Sequence, residues 1–133
     1  MKILIKNALV LDMVGDQPNI RKLDVLIKDR LIHQIAPHID VAADKVINAK
    51  NKLLMPGFVN THTHLGMAFF RGYKDERKLE DWLNNAIFPV EDNLTVKDIY
   101  YSSYLSCIEM IRAGTTTCND MYFKCEGTVK AIE

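Results

Sequence analysis

The chain has 133 residues, 48% hydrophobic and 26% charged, with 17 basic side chains against 17 acidic ones. That balance suits a folded polypeptide and offers no general attraction for nucleic acid or anionic lipid. No apolar run approaches the roughly 20 residues that span a bilayer, and Met1-Lys2-Ile3-Leu4-Ile5-Lys6-Asn7 lacks the apolar core and cleavage site of a signal peptide, so a cytoplasmic location is expected.

Residues 1 to about 55 read as short strands. Lys2 to Val10, Asp24 to Ile27 and Leu31 to Ile35 carry β-branched and leucine residues between polar turns. Lys28-Asp29-Arg30 fits the turn of a hairpin between the last two, and Gly15-Asp16-Gln17-Pro18-Asn19 reads as a loop. His33 and His38 lie in this region without a partner at ligand spacing, and they are assigned no role beyond surface or edge-strand polarity.

Met55-Pro56-Gly57-Phe58-Val59-Asn60-Thr61-His62-Thr63-His64-Leu65 is the most informative stretch. Pro56-Gly57 punctuates the entry, Phe58 and Val59 fit a buried strand, and two histidines follow at i and i+2. On an extended strand those side chains share a face, so both imidazoles can reach one metal ion while other coordination positions stay open. A bare His-x-His is read first as polar residues at a strand end with no metal, because short motifs match by chance. The whole string, however, resembles the first barrel strand of the amidohydrolase superfamily, which typically reads like Pro-Gly-Phe-Val-Asn-Thr-His-Thr-His.

Beyond it, Gly66 to Asp75 reads as a loop, and Glu76 to Ile87 as a helix with Leu79, Trp82, Leu83 and Ile87 at helical spacing. Glu91-Asp92-Asn93 is, on its own terms, a solvated turn. Thr95-Val96-Lys97-Asp98 has the features of a helix start, Tyr101, Tyr104, Leu105, Ile108 and Ile111 form one apolar stripe, and Gly114 supplies a left-handed stop. Thr115 to Tyr122 follows as a β-rich run, giving a strand, helix, strand order that suits a parallel sheet. Asp120, near the end of that run, is read as a structural polar group. Cys107, Cys118 and Cys125 are odd in number and widely spaced, as expected of reduced thiols, with the first two as small packing residues.

The resemblance extends over nearly the whole chain, including Ala113-Gly114-Thr115-Thr116-Thr117. It implies an α/β fold: residues 1–55 as the amino-terminal part of a small flanking β-sandwich, and residues 56–133 as the first units of a TIM-like (β/α)8 barrel. Such a barrel takes about 250 residues, and the chain stops inside a rising helix at Lys130-Ala131-Ile132-Glu133, so a truncated chain is expected. Arg71-Gly72-Tyr73, Trp82-Leu83 and Pro89-Val90-Glu91 are similar to the branch that deaminates methylthioadenosine and S-adenosylhomocysteine.

In that branch the tryptophan lines the substrate pocket and the glutamate accepts hydrogen bonds from ribose hydroxyls, which implies substrate roles for Trp82 and Glu91. His62 and His64 become metal ligands, for zinc in the first place, with iron, nickel or manganese also able to accept histidine. The implied reaction is hydrolytic release of ammonia from an adenosine-like thioether nucleoside. The acid-base residues and remaining ligands come from later strands in the family, so no catalytic residue is assigned within this chain and it is expected to be inactive alone. Related enzymes that deaminate guanine or dechlorinate triazines begin with similar first strands. A different alternative is a non-catalytic interaction module that pairs its unfinished edges with another copy. The expected partners are a small nucleoside and further copies of the chain, not nucleic acid or membrane.

Overall fold

A computed structural model describes residues 1–13 and 18–133. Within the expected loop at Gly15 to Asn19, residues 15–17 lie outside the described residues, while Asn19 already opens a strand. The chain divides into two compact units, Met1–Pro56 and Gly57–Glu133.

The first unit is a five-stranded sheet built from β1 (Lys2–Asp12), β2 (Asn19–Lys28), β3 (Leu31–Ala36), β4 (Lys45–Asn48) and β5 (Leu53–Leu54). Its order is β3-β2-β1-β4, with β5 pairing farther along β1. The β2–β3 hairpin turns at Asp29, which takes a left-handed φ of 59°; β4 and β5 run parallel to β1. These last two strands extend the expected set.

Between Ile5 and Ala8 the β1–β2 register shifts, and Asn7 adopts a φ of 62°. A bulge of this kind changes the parity with which side chains face the two sides of a sheet. Before it, Leu4 packs with Leu26 and Ile39 while Ile5 faces the other way. After it, the even-numbered Ala8 and Val10 join Ile5 on the side of Leu23, Val25 and Ala49. Buried Asp24 fastens the bulge: its Oδ1 accepts from the Asn7 amide at 2.8 Å and its Oδ2 from the Ile39 amide at 3.0 Å. Burial pushes this carboxyl's pKa up, but the two amides, Lys6 and His38 outweigh that and hold it below the ordinary aspartate value.

In the second unit β6 (Phe58–Thr63) and β7 (Thr115–Asp120) pair in parallel, with Phe58 opposite Thr115 and Thr63 opposite Asp120. The parallel order expected from the sequence is therefore present. The stretch expected as a loop after His64 begins with a 3-10 helix, Leu65–Phe70. The helix expected over 76–87 starts later, as α1 (Leu79–Trp82), and passes through a π-helical segment (Leu83–Ile87) into α2 (Phe88–Glu91). Beyond α2 lie α3 (Val96–Arg112) and α4 (Cys125–Ile132).

Thr95 and Asp98 close a reciprocal capping box at the start of α3, and Gly114 stops it with a φ of 87°. The apolar stripe of α3 is not its buried face. Tyr101, Tyr104, Leu105, Ile108 and Ile111 are exposed, whereas Ile99, Ser102 and Ser103 are buried. Small hydroxyl residues win the inner face because they fit close beneath a segment whose carbonyls need donors. Phe58 and Val59, expected to be buried, are likewise exposed in this chain; parallel strands bury both faces only where elements cover both. Among the described residues no helix is long and apolar enough to cross a membrane.

Candidate functional site

Strand β6 ends at Thr63, and His64 turns the chain into the 3-10 helix with φ −127° and ψ 80°. Several bonds fix this corner. The Leu65 amide donates to Asp120 Oδ1 at 2.8 Å, and the Met121 amide donates to the Thr63 carbonyl at 3.0 Å. From α3, the Ser102 hydroxyl lies 2.9 Å from the Gly66 carbonyl and Ser106 donates to the Leu65 carbonyl at 3.1 Å. Asp120 thus has the structural role expected of it.

His62 and His64 converge despite the turn. Their Nε2 atoms are 3.2 Å apart, with the rings edge-on at 89°. His64 Nδ1 meets the Met121 carbonyl at 2.5 Å. A carbonyl only accepts, so Nδ1 carries the proton and, in the neutral ring, Nε2 presents its lone pair toward His62. An outer hydrogen bond on one imidazole nitrogen is what orients the other toward a metal. The donor chemistry of this pair therefore fits a divalent ion held on imidazole nitrogens. Among the described residues no group of three or more histidine, cysteine or carboxylate side chains surrounds such a point.

Next to His64 lies a cleft of about 350 Å³, lined by Met67, Leu83, Ile87, Phe88, Glu91, Met121, Tyr122 and Phe123 as well as His64 itself. Glu91, expected from its neighbours alone to be a solvated turn, is buried at the end of α2 and accepts a hydrogen bond from the Tyr122 hydroxyl at 2.5 Å. Burial, and then the Glu91 carboxylate, push the Tyr122 pKa up, which keeps the phenol a donor. The structure thus gathers His62, His64 and Glu91 around one region of the second unit. Trp82 is half-buried, with its indole N–H donating to the Tyr73 carbonyl at 2.8 Å, and it is not among the residues lining the cleft.

Tyr122 and Met121 were absent from the sequence-based candidates. The available signal was position: both follow the carboxyl end of a parallel strand, where α/β folds place their sites. Volume alone would mislead, since a cleft of about 380 Å³ beside α3 and β7 is lined by residues such as Cys107, Ile108 and Thr116 and contains no charged side chain.

The second unit is thus a parallel strand, helix, strand arrangement with a pair of converging imidazoles at the carboxyl end of its first strand. Residues 53–133 match the model of the amidohydrolase family, and the chain belongs to that family. It is 50% identical over 131 residues to a 5'-deoxyadenosine deaminase of Methanosarcina mazei, covering 98% of this chain and 30% of that protein. A 5-methylthioadenosine/S-adenosylhomocysteine deaminase of Thermoanaerobacter pseudethanolicus is 43% identical over 134 residues, covering 100% of this chain and 31% of the relative. The fold is similar to that of an adenosine deaminase from Xanthomonas campestris solved with bound zinc, with a TM-score of 0.89 and 27% identity over 97% of this chain and 30% of the other. The chain thus spans about 30% of the length of the curated relatives it matches.

Proposed function

We propose that the protein carrying this chain is a metal-dependent aminohydrolase that releases ammonia from adenosine-like nucleosides, and that these residues form the opening part of its barrel and flanking β-sandwich. The observation that carries this reading is the convergence of the His62 and His64 Nε2 atoms, with His64 oriented by the Met121 carbonyl. His62 and His64 would hold the ion, zinc by analogy with the zinc-bound relative. Bound there, a divalent ion supplies a water acidified toward neutrality for hydrolysis.

The chain's own residues supply binding and orientation. The Met121 carbonyl keeps the His64 proton on Nδ1. Met67, Leu83, Ile87 and Phe88 give the cleft apolar walls that displace water from a nucleobase. Glu91 offers a carboxylate to ribose hydroxyls, because its oxygens only accept and the resulting bonds are charge-assisted. Trp82 is assigned to the substrate side by the resemblance alone. Glu91 is the cleft's carboxylate and no lysine or arginine lines the cleft, which suits an uncharged nucleoside better than a nucleotide. The substrates in the relatives' names, 5'-deoxyadenosine, methylthioadenosine and S-adenosylhomocysteine, carry no phosphate. A cytoplasmic enzyme agrees with the widely spaced free cysteines.

The test is ammonia release by the full-length protein from 5'-deoxyadenosine, methylthioadenosine, S-adenosylhomocysteine and adenosine, with guanine and a chlorotriazine alongside. Turnover of the adenosine nucleosides, lost on chelation and restored by zinc, is the expected result. Turnover confined to guanine or the triazine would sink the nucleoside reading and leave the family intact.

A further inference from the structure

The segment after β7 touches both halves of the site. Its Met121 carbonyl holds His64, and its Tyr122 hydroxyl holds Glu91. The ring of Tyr122 is seated against the Gly66 backbone so closely that a Cβ at Gly66 would run into its Cδ1 and Cε1 atoms. The absent side chain at Gly66 therefore lets the ring pass beneath the corner that follows the histidines. A phenol has one proton to donate, and here it goes to Glu91 Oε1. Among the described residues Glu91 Oε2 makes no hydrogen bond, and Glu91 lines the cleft.

From this geometry we infer that Tyr122 is a positioning residue: by occupying Oε1 it sets the carboxylate so that Oε2 is the oxygen presented to the ligand, at a fixed place relative to the histidine pair. The inference rests on the reading of Glu91 as the ribose-binding carboxylate. Tyr122 does not touch the nucleoside itself; it acts through Glu91. Without the hydroxyl, Glu91 keeps both acceptor oxygens but loses the bond that selects its rotamer. Hydroxyl recognition should suffer while events at the metal do not.

The experiment uses the full-length zinc-loaded protein and compares a riboside substrate with its 2',3'-dideoxy analogue. Tyr122→Phe retains the ring under Gly66 and the Met121 carbonyl. It should lower kcat/KM for the riboside about fivefold to tenfold, mostly through KM, the effect of one lost hydrogen bond. For the dideoxy analogue the change should stay within about twofold, since that ligand has no hydroxyls for Glu91 to accept from. Glu91→Gln should reduce the riboside preference as well, and Tyr122→Phe added to it should cost little more, because both act through one contact.

Equal losses on both substrates, or no loss on either, overturn this inference while leaving the deaminase reading standing. A wild-type protein that turns over no nucleoside overturns both. Should Tyr122→Phe fail to fold, a crystal structure of the full-length wild-type protein with a nucleoside decides: the Tyr122 hydroxyl on Oε1 with Oε2 facing the ribose supports the inference, and a hydroxyl bonded to the ligand overturns it.

Discussion

His64 gains its orientation from an atom that every residue possesses. Because the Met121 carbonyl accepts from Nδ1, the Nε2 lone pair is turned toward His62. In the full-length protein, His62→Ala and His64→Ala are each expected to weaken zinc binding by more than the tenfold to about hundredfold typical of a lost outer partner. Metal analysis after dialysis against a weak chelator measures this, and full zinc retention in both variants would remove these residues from the ligand set. Gly66→Ala is expected to destabilise by about 1–3 kcal/mol, the usual cost of forcing atoms into a filled site, because the added carbon meets the Tyr122 ring and Ile99. An unchanged denaturation midpoint would contradict that packing. The convergence of the histidine pair was legible in the sequence because side chains two residues apart on a strand share a face. Met121 was not legible, since it acts through a backbone carbonyl 57 residues away, which leaves no mark on residue type.

Helix α3 was legible as a helix yet not in its orientation. Its capping signals and Gly114 stop are local chemistry and appear where expected. An apolar stripe ordinarily marks a packing face, but here Ser102, Ser103 and Ser106 face the corner after His64 or α4. Periodicity reports a face and not what covers it. Ser102→Ala should cost about 1–3 kcal/mol by leaving the buried Gly66 carbonyl and Phe69 amide without their partner; Thr95→Ala should cost about 1 kcal/mol through the cap alone. Chemical denaturation separates the two, and equal, negligible losses would mean that water replaces the serine. In the first unit, alternation identified β1 but concealed the bulge at Asn7 that reverses its inner and outer faces. Asp24, which fastens that bulge, has a folded-state pKa below its unfolded value of about 3.9. Its stabilising contribution is therefore complete above that unfolded value and is lost as pH falls through the folded one. Thermal melts should show the wild type weakening below about pH 4, with Asp24→Asn already weaker at pH 7 and flatter on the acid side. Parallel pH curves would remove the carboxylate from the account.

For the molecule as a whole, the deciding quantity is apolar surface. Phe58, Val59, Ile108 and Ile111 in the second unit and Leu31, Ile32 and Ile35 in the first are exposed. In the first unit β3, an edge strand, carries the last three of these, and strand edges of that kind recruit further strands. Such surface is compatible with coverage by more of a longer protein or by other copies of the chain, and the two differ in what the 133-residue polypeptide does alone. Purified by itself, it is expected to sediment as assemblies heavier than its 15.2 kDa, because water-exposed apolar edges find one another at micromolar concentration. Its ammonia release should be negligible, since the described residues bring together only a histidine pair and no larger ligand cluster. Full-length protein should instead be active and lose that tendency to associate through these faces. Sedimentation velocity with a parallel ammonia assay reads both properties. A monodisperse 15.2 kDa species with zinc-dependent turnover would show that neither added strands nor added ligands are required. Assemblies with bound zinc but without turnover would place the missing function in acid-base groups and not in the metal.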